Sequence, residues 1–131
     1  MTMPSTEATL FSPRGIAEAR LLAQRSGRHV VDVLECNSGL EAAHFVADLA
    51  QAARLHAMDM TALYASTPAF DIMSFTLATR HECLPLRDPG KRLRLVVADP
   101  FHIEFFDWAM ECVHESFDLY LAHRADILAY L

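Results

Sequence analysis

The chain has 131 residues, 53% of them hydrophobic, and a formal net charge of −6. That is the length of one ordinary domain, or of two small subdomains, with enough apolar residues for a core. It contains no run of about eighteen uncharged apolar residues that would span a bilayer. The acidic balance, with one small basic cluster at Lys91, Arg92 and Arg94, argues against a nucleic-acid partner.

The start, MTMPSTEATLFSPRG, lacks a basic segment followed by an apolar one, so no secretory signal is expected. Cys36, Cys83 and Cys112 are odd in number and not closely paired, and read as reduced thiols of a cytosolic protein. Residues 1–12 are expected to be a flexible N-terminus. Ser12-Pro13 then opens a helix, because Ser accepts an orphan N–H and Pro at the first helical position loses no bond. Ile16, Ala19, Leu22 and Ala23 repeat at helical spacing until Gly27. A short helix is predicted over 29–35, interrupted by Asn37-Ser38-Gly39. From 40 to 54 the pattern is again helical: Ala42, Phe45, Val46, Leu49 and Ala53 share a face opposite Glu41, His44, Asp48 and Gln51. The segment MDMTALYASTPAF, 58–70, reads as a connector with turn chemistry around Ser66-Thr67-Pro68. A helix is expected over 69–80, with Phe70, Met73 and Leu77 stacked.

The period then changes to two. Leu84 and Leu86 alternate with Cys83, Pro85 and Arg87; Leu93, Leu95 and Val97 alternate with Arg94, Val96 and Ala98. Between them Asp88-Pro89-Gly90-Lys91 predicts a turn in which Pro presets one φ and Gly accepts a positive one, so the stretch is a β-hairpin. Pro85 cannot donate to a ladder, which places its strand at an edge or its missing N–H outside the pairing. A helix follows over 102–114, a third strand over 117–121, and a closing helix in RADILAYL. The fold class is therefore α+β: a helical half, residues 13–60, packed on a β-β-α-β-α half with a three-stranded sheet, residues 61–131, in one compact domain.

The helix over 102–114 confines Glu104, Asp107, Glu111 and His114 to a strip of roughly 100°. A helix resting on one sheet needs an apolar stripe only slightly wider than that. Something must therefore cover its Phe105–Trp108–Cys112 side, either the helical half of the chain or another protein.

Taken together, LATRHECLPLRDPGKRLRLVVADPFHIEFFD resembles the N-terminal domain of type II secretion and type IV pilus assembly ATPases (GspE N-terminal-like, MshEN-like). The residues that carry the likeness are Arg80-His81, Leu84-Pro85-Leu86, the strand 93–97 and Ala98-Asp99-Pro100. The paired helices upstream and Met58-Asp59-Met60 extend it over about 28–131. The resemblance implies a domain that precedes the motor and docks onto a cytoplasmic partner domain anchored in the inner membrane. Some relatives bind cyclic di-GMP through a repeated Arg-Leu-Gly, Gly, Gln pattern. Here His29-Val30-Val31, Ser38 and Ala52 stand in those places, and Val31 would obstruct the close backbone approach that glycine allows. Related domains also precede glycosyltransferases.

No Walker phosphate loop is present, so this segment is not expected to hydrolyse ATP. His81-x-Cys83 with Cys112-x-His114 has the donor types of a zinc site but no familiar spacing, and both thiols sit in apolar runs that suit buried free cysteine. Ser74 and Ser116 come with no placed base or orienting group. Glu104, Asp107 and Glu111 read as a solvated face, and Asp99 as a cap or turn residue. No cofactor and no metal are expected. The leading reading is a non-enzymatic docking domain, cytoplasmic and held at the inner membrane through a partner, without inserting into the bilayer. Phe105 and Trp108 are its contact residues, flanked by Arg92 and Arg94; the alternative is that both rings pack on the chain's own helices. A cyclic di-GMP sensor and an accessory domain of a glycosyltransferase are the other readings.

Overall fold

A computed structural model describes residues 11–131. The expected flexible N-terminus lies, for residues 1–10, outside the described residues. Three helices come first: α1 (Pro13–Ser26), α2 (Val30–Ser38) and α3 (Ala42–Ala53). The Ser12 hydroxyl accepts the Gly15 N–H at 3.1 Å, and Pro13 occupies the first turn as its lack of an N–H allows. Gly27 (φ 69) and Gly39 (φ 67) end α1 and α2 in the left-handed conformation that glycine adopts without steric cost.

The connector is more structured than its turn residues suggest. It holds β1 (His56–Ala57), α4 (Met60–Ala65) and β2 (Thr67–Pro68). Asp59 caps α4 by accepting the Ala62 N–H at 2.8 Å. The helix expected over 69–80 begins only later, as α5 (Phe75–His81). Ala69 instead donates to the Pro85 carbonyl at 2.8 Å, continuing the extended path of β2, and Ser74 caps the helix on Leu77. Then come β3 (Cys83–Arg87), β4 (Leu93–Val97), α6 (Ile103–Cys112), β5 (Phe117–Leu121) and α7 (Arg124–Tyr130).

The α+β class and the β-β-α-β-α order stand, but the sheet has five strands, ordered β1-β5-β4-β3-β2, where three were expected. The two additional strands are only two residues each, too short for an alternating pattern to show. β3 and β4 form the hairpin, and β5 joins β4 in parallel after the α6 crossover. Pro85 is not on an edge strand, since β2 flanks β3. Its carbonyl serves Ala69, just past the two β2–β3 pairs, so its missing N–H faces a place where no ladder bond is needed. The turn also differs: the positive φ falls on Lys91 (φ 67), not Gly90. Lys91 N–H bonds the Asp88 carbonyl at 2.8 Å and Asp88 N–H bonds the Arg92 carbonyl at 3.1 Å. A tight turn followed by one left-handed residue closes a three-residue hairpin loop in this way.

Both faces of the sheet are covered, which is why β3 and β4 are buried almost end to end. Leu93, Leu95, Val97 and Leu121 pack under the layer of α1, α2, α3, α5 and α6, with Phe45, Leu49 and Phe105. Leu84, Leu86 and Val96 face the other way onto Leu63 of α4 and Ile127 of α7.

Candidate functional site

Ionisable side chains converge at the end of β4, where the chain turns from Ala98 through Asp99 into α6. The Asp99 carboxylate accepts the Phe101 N–H at 2.8 Å and holds this corner. A cleft of about 290 Å³ opens there, bounded by His29 and Val31 of α2, by Arg80, His81 and Glu82 at the end of α5, by His102 and Phe105, and by Arg124 of α7. His29 and His102 stand at the N-caps of α2 and α6, and neither side chain caps its helix.

The floor of the cleft is pinned by Arg124. Its guanidinium donates to both Glu82 carboxylate oxygens, at 2.7 and 2.8 Å, and lies 3.6 Å from Asp32 of α2. That bidentate bond holds the Glu82 carboxyl below its ordinary range. Glu82 itself adopts φ 50, so α5 stops where its carboxylate meets Arg124. Beside it the His81 imidazole lies 4.3 Å from the Trp108 ring and 5.5 Å from Phe105. Burial, with Arg80 and His102 nearby, pushes its pKa down.

Phe105 is 4% exposed, and its ring is held among His81, His102, Phe106 and Trp108. Trp108 is half-buried against the same core. Arg92 and Arg94 lie elsewhere. Arg94 sits 4.7 Å over the Tyr120 ring and pairs with Asp88 at 3.3 Å, while Arg92 pairs with Asp118 at 3.3 Å. Strand alternation puts these residues on the Leu84–Val96 side of the sheet, opposite α6. The four named contact residues therefore occupy two surfaces.

Cys83 is fully buried, and burial pushes its thiol up to about 12. Cys112 and Cys36 are exposed. Among the described residues no group of His, Cys, Asp and Glu could hold a metal ion. Also among the described residues, no helix is long and apolar enough to cross a membrane. Sequence reasoning missed the Arg124–Glu82–Asp32 linkage and the meeting of His29, His81 and His102. No local pattern announces contacts between residues this far apart in the chain.

Residues 53–131 match the family model described as the MshEN domain. The structure of MshE with cdg is similar at a TM-score of 0.65 and 18% identity, covering 98% of this chain and 96% of that one. The N-terminal domain of XpsE is similar at a TM-score of 0.59 and 19% identity, over 97% of this chain and 95% of that one. A second crystal form of the XpsE domain gives 0.57 and 20%, over 98% and 95%. Among curated proteins none matches the chain significantly. The family match begins after the helical segment in which Val31, Ser38 and Ala52 depart from the repeated glycine pattern. The motifs around the β3–β4 hairpin and Ala98-Asp99-Pro100 lie inside it, and this chain belongs to the MshEN domain family.

Proposed function

We propose that the chain is a non-catalytic docking domain of a type II secretion ATPase. It recruits the motor to the cytoplasmic domain of an inner-membrane secretion protein, and so works in the cytoplasm at the membrane surface. ATP hydrolysis belongs to another part of the parent protein. The observation that supports this reading most is the surface of α6. Phe105 and Ala109 sink into the core, as does Val113 just past the helix, while Trp108 and Phe106 stay half-buried and Met110 is 71% exposed. A half-buried Trp held by neighbouring rings is the kind of rigid anchor that dominates binding energy. Phe105 supports that anchor from beneath, and Arg92 and Arg94 flank a separate surface.

The test is a pull-down, with affinity measurement, against the partner's cytoplasmic domain. Trp108→Ala should weaken binding by about 2 kcal/mol, roughly thirtyfold, with an unchanged far-ultraviolet spectrum. Full affinity in a folded variant removes Trp108 from the contact.

A second reading is a cyclic di-GMP sensor, favoured by a cleft lined by Arg80, Arg124 and three histidines and by the relative MshE, whose structure is with cdg. The cleft's volume of about 290 Å³ is at the lower limit for small-molecule sites, and buried Val31 forms part of its wall. Calorimetry with cyclic di-GMP discriminates: micromolar binding lost in Arg124→Ala establishes the sensor, and no heat dismisses it.

A further inference from the structure

The first helix carries the opposite charge to the domain it belongs to. Residues 13–28, α1 and its end, hold Arg14, Arg20, Arg25 and Arg28 against the single acid Glu18, in a chain whose net charge is −6. Arg14 and Glu18 pair with each other at 3.3 Å. Among the described residues Arg20, Arg25 and Arg28 are in no ion pair, and Arg28 reaches only the Asp32 carbonyl, at 3.4 Å. All three are exposed. The carboxylates of the adjacent helix α2 are engaged elsewhere, Asp32 with Arg124 and Glu35 with His123.

α1 also shows leucine to water. Its Ala19 and Ala23 sink into the core, while Leu21 is 55% and Leu22 47% exposed. At about 3.6 residues per turn, Arg14, Glu18, Leu21 and Arg25 line up along the outer crest, with Arg20 and Leu22 on either side of it. A lone exposed leucine is ordinary, but two neighbours set among unpaired arginines make one surface of mixed character. That surface is a ridge: α1 walls neither the cleft at Asp99 nor the grooves beside β1 and β5. A peptide that needs a groove has no seat on it. A flat surface offering negative charge and apolar depth at every point fits it, and the cytoplasmic leaflet of a membrane is such a surface. α1 also lies on the same side of the sheet as α6, the docking helix.

We propose that α1 is a peripheral contact for anionic lipid headgroups. Arg20, Arg25 and Arg28 meet phosphates at the bilayer surface, and Leu21 and Leu22 dip just below them. This rests on the docking reading, which brings the domain to the membrane, and adds a second point of attachment that fixes its orientation there. The acidic remainder of the domain does not cancel the attraction, because charges more than about 8 Å from the surface are largely screened at physiological salt.

Co-sedimentation of the whole chain with lipid vesicles tests this without the partner. Vesicles of about one-third phosphatidylglycerol in phosphatidylcholine should retain the chain at about 0.1 M salt. Phosphatidylcholine alone should not, nor should the mixed vesicles at about 0.5 M salt. Arg20→Ala combined with Arg25→Ala should weaken the partition at least about tenfold. Leu21→Ser combined with Leu22→Ser should also weaken it, since the arginines alone leave the apolar contact unmade. All four side chains are exposed, so both double variants should keep the natural far-ultraviolet spectrum. Equal retention by neutral vesicles, retention indifferent to the arginines, or no retention at all overturns the proposal. So does binding of soluble polyglutamate by chains that anionic vesicles ignore, which assigns the ridge to an acidic protein. If the membrane partner fails to bind while vesicles hold the chain through its arginines, the docking reading falls and the lipid contact stands. Partner binding through Trp108 without vesicle binding does the reverse.

Discussion

Arg124 and Glu82, 42 residues apart in sequence, form a two-pronged ion pair with N–O distances of 2.7 and 2.8 Å that ties α7 to the start of the hairpin. Both side chains are about two-thirds or more buried, at 31% and 25% exposure, so the pair is shielded from the screening that makes surface pairs weak. Removing one partner strands the other with unmet hydrogen bonds. Arg124→Ala should therefore lower stability by about 2 kcal/mol in urea unfolding. Glu82→Gln should cost a similar amount, and the double variant clearly less than the two losses added.

The same carboxylate makes stability depend on acid. Its pKa is lower folded than unfolded, so near pH 4 the unfolded chain binds the extra proton. The contribution is complete above the ordinary carboxyl pKa of about 4.3 and is lost as pH falls through the depressed folded value. Unfolding midpoints measured downward from pH 6 should fall more steeply in the natural chain than in Glu82→Gln.

His81 has its own optical reporter, since Trp108 is the chain's single tryptophan and lies 4.3 Å from the imidazole. The folded pKa is depressed by burial and neighbouring positive charge, so the neutral ring is the stable form. Its contribution is complete above about pH 6.5 and lost as pH falls through the lower folded pKa. Trp108 fluorescence should titrate with a midpoint below 6.5, because a protonated imidazole quenches indole, and His81→Phe should flatten the curve.

The three thiols should separate by accessibility. Cys36 and Cys112 are exposed, while Cys83 is buried with its thiol raised to about 12. A disulfide reagent at neutral pH should label two sites rapidly in the folded chain and the third only on unfolding. Three fast sites would mean that the β3 side of the core opens.

Lys91 holds φ 67 at the end of the hairpin loop, a conformation that costs a side-chain-bearing residue about 1 kcal/mol. Lys91→Gly should raise stability by about that amount in thermal unfolding, against the usual penalty for added glycine. A loss of stability would mean that the loop is not strained at this residue.

Much of this fold was legible locally. Ser12-Pro13 and Gly27 bracket α1 as caps and stops do, and the alternation from Cys83 to Val97 encodes the hairpin, because both signals depend only on neighbouring backbone. β1 and β2 were not legible. A two-residue strand has no period, and each exists only because the edge of β5 or β3 supplies its partners. The helix expected from residue 69 fails for a related reason: Ala69 is claimed by the Pro85 carbonyl, a bond made across the sheet. The candidate site divides the same way. The apolar excess of α6 is plain in Phe105, Trp108 and Met110, but which of them would be buried was not. The core takes Phe105 and leaves Met110 in water. The order of residues by itself determined α1, α2, α3, α6 and α7, the hairpin and the acidic strip, since these follow from periodicity and turn chemistry within a few positions. Only the tertiary structure decided that Arg124 meets Glu82 and that β1 pairs with β5, because those outcomes depend on which distant segments pack together and where each one ends.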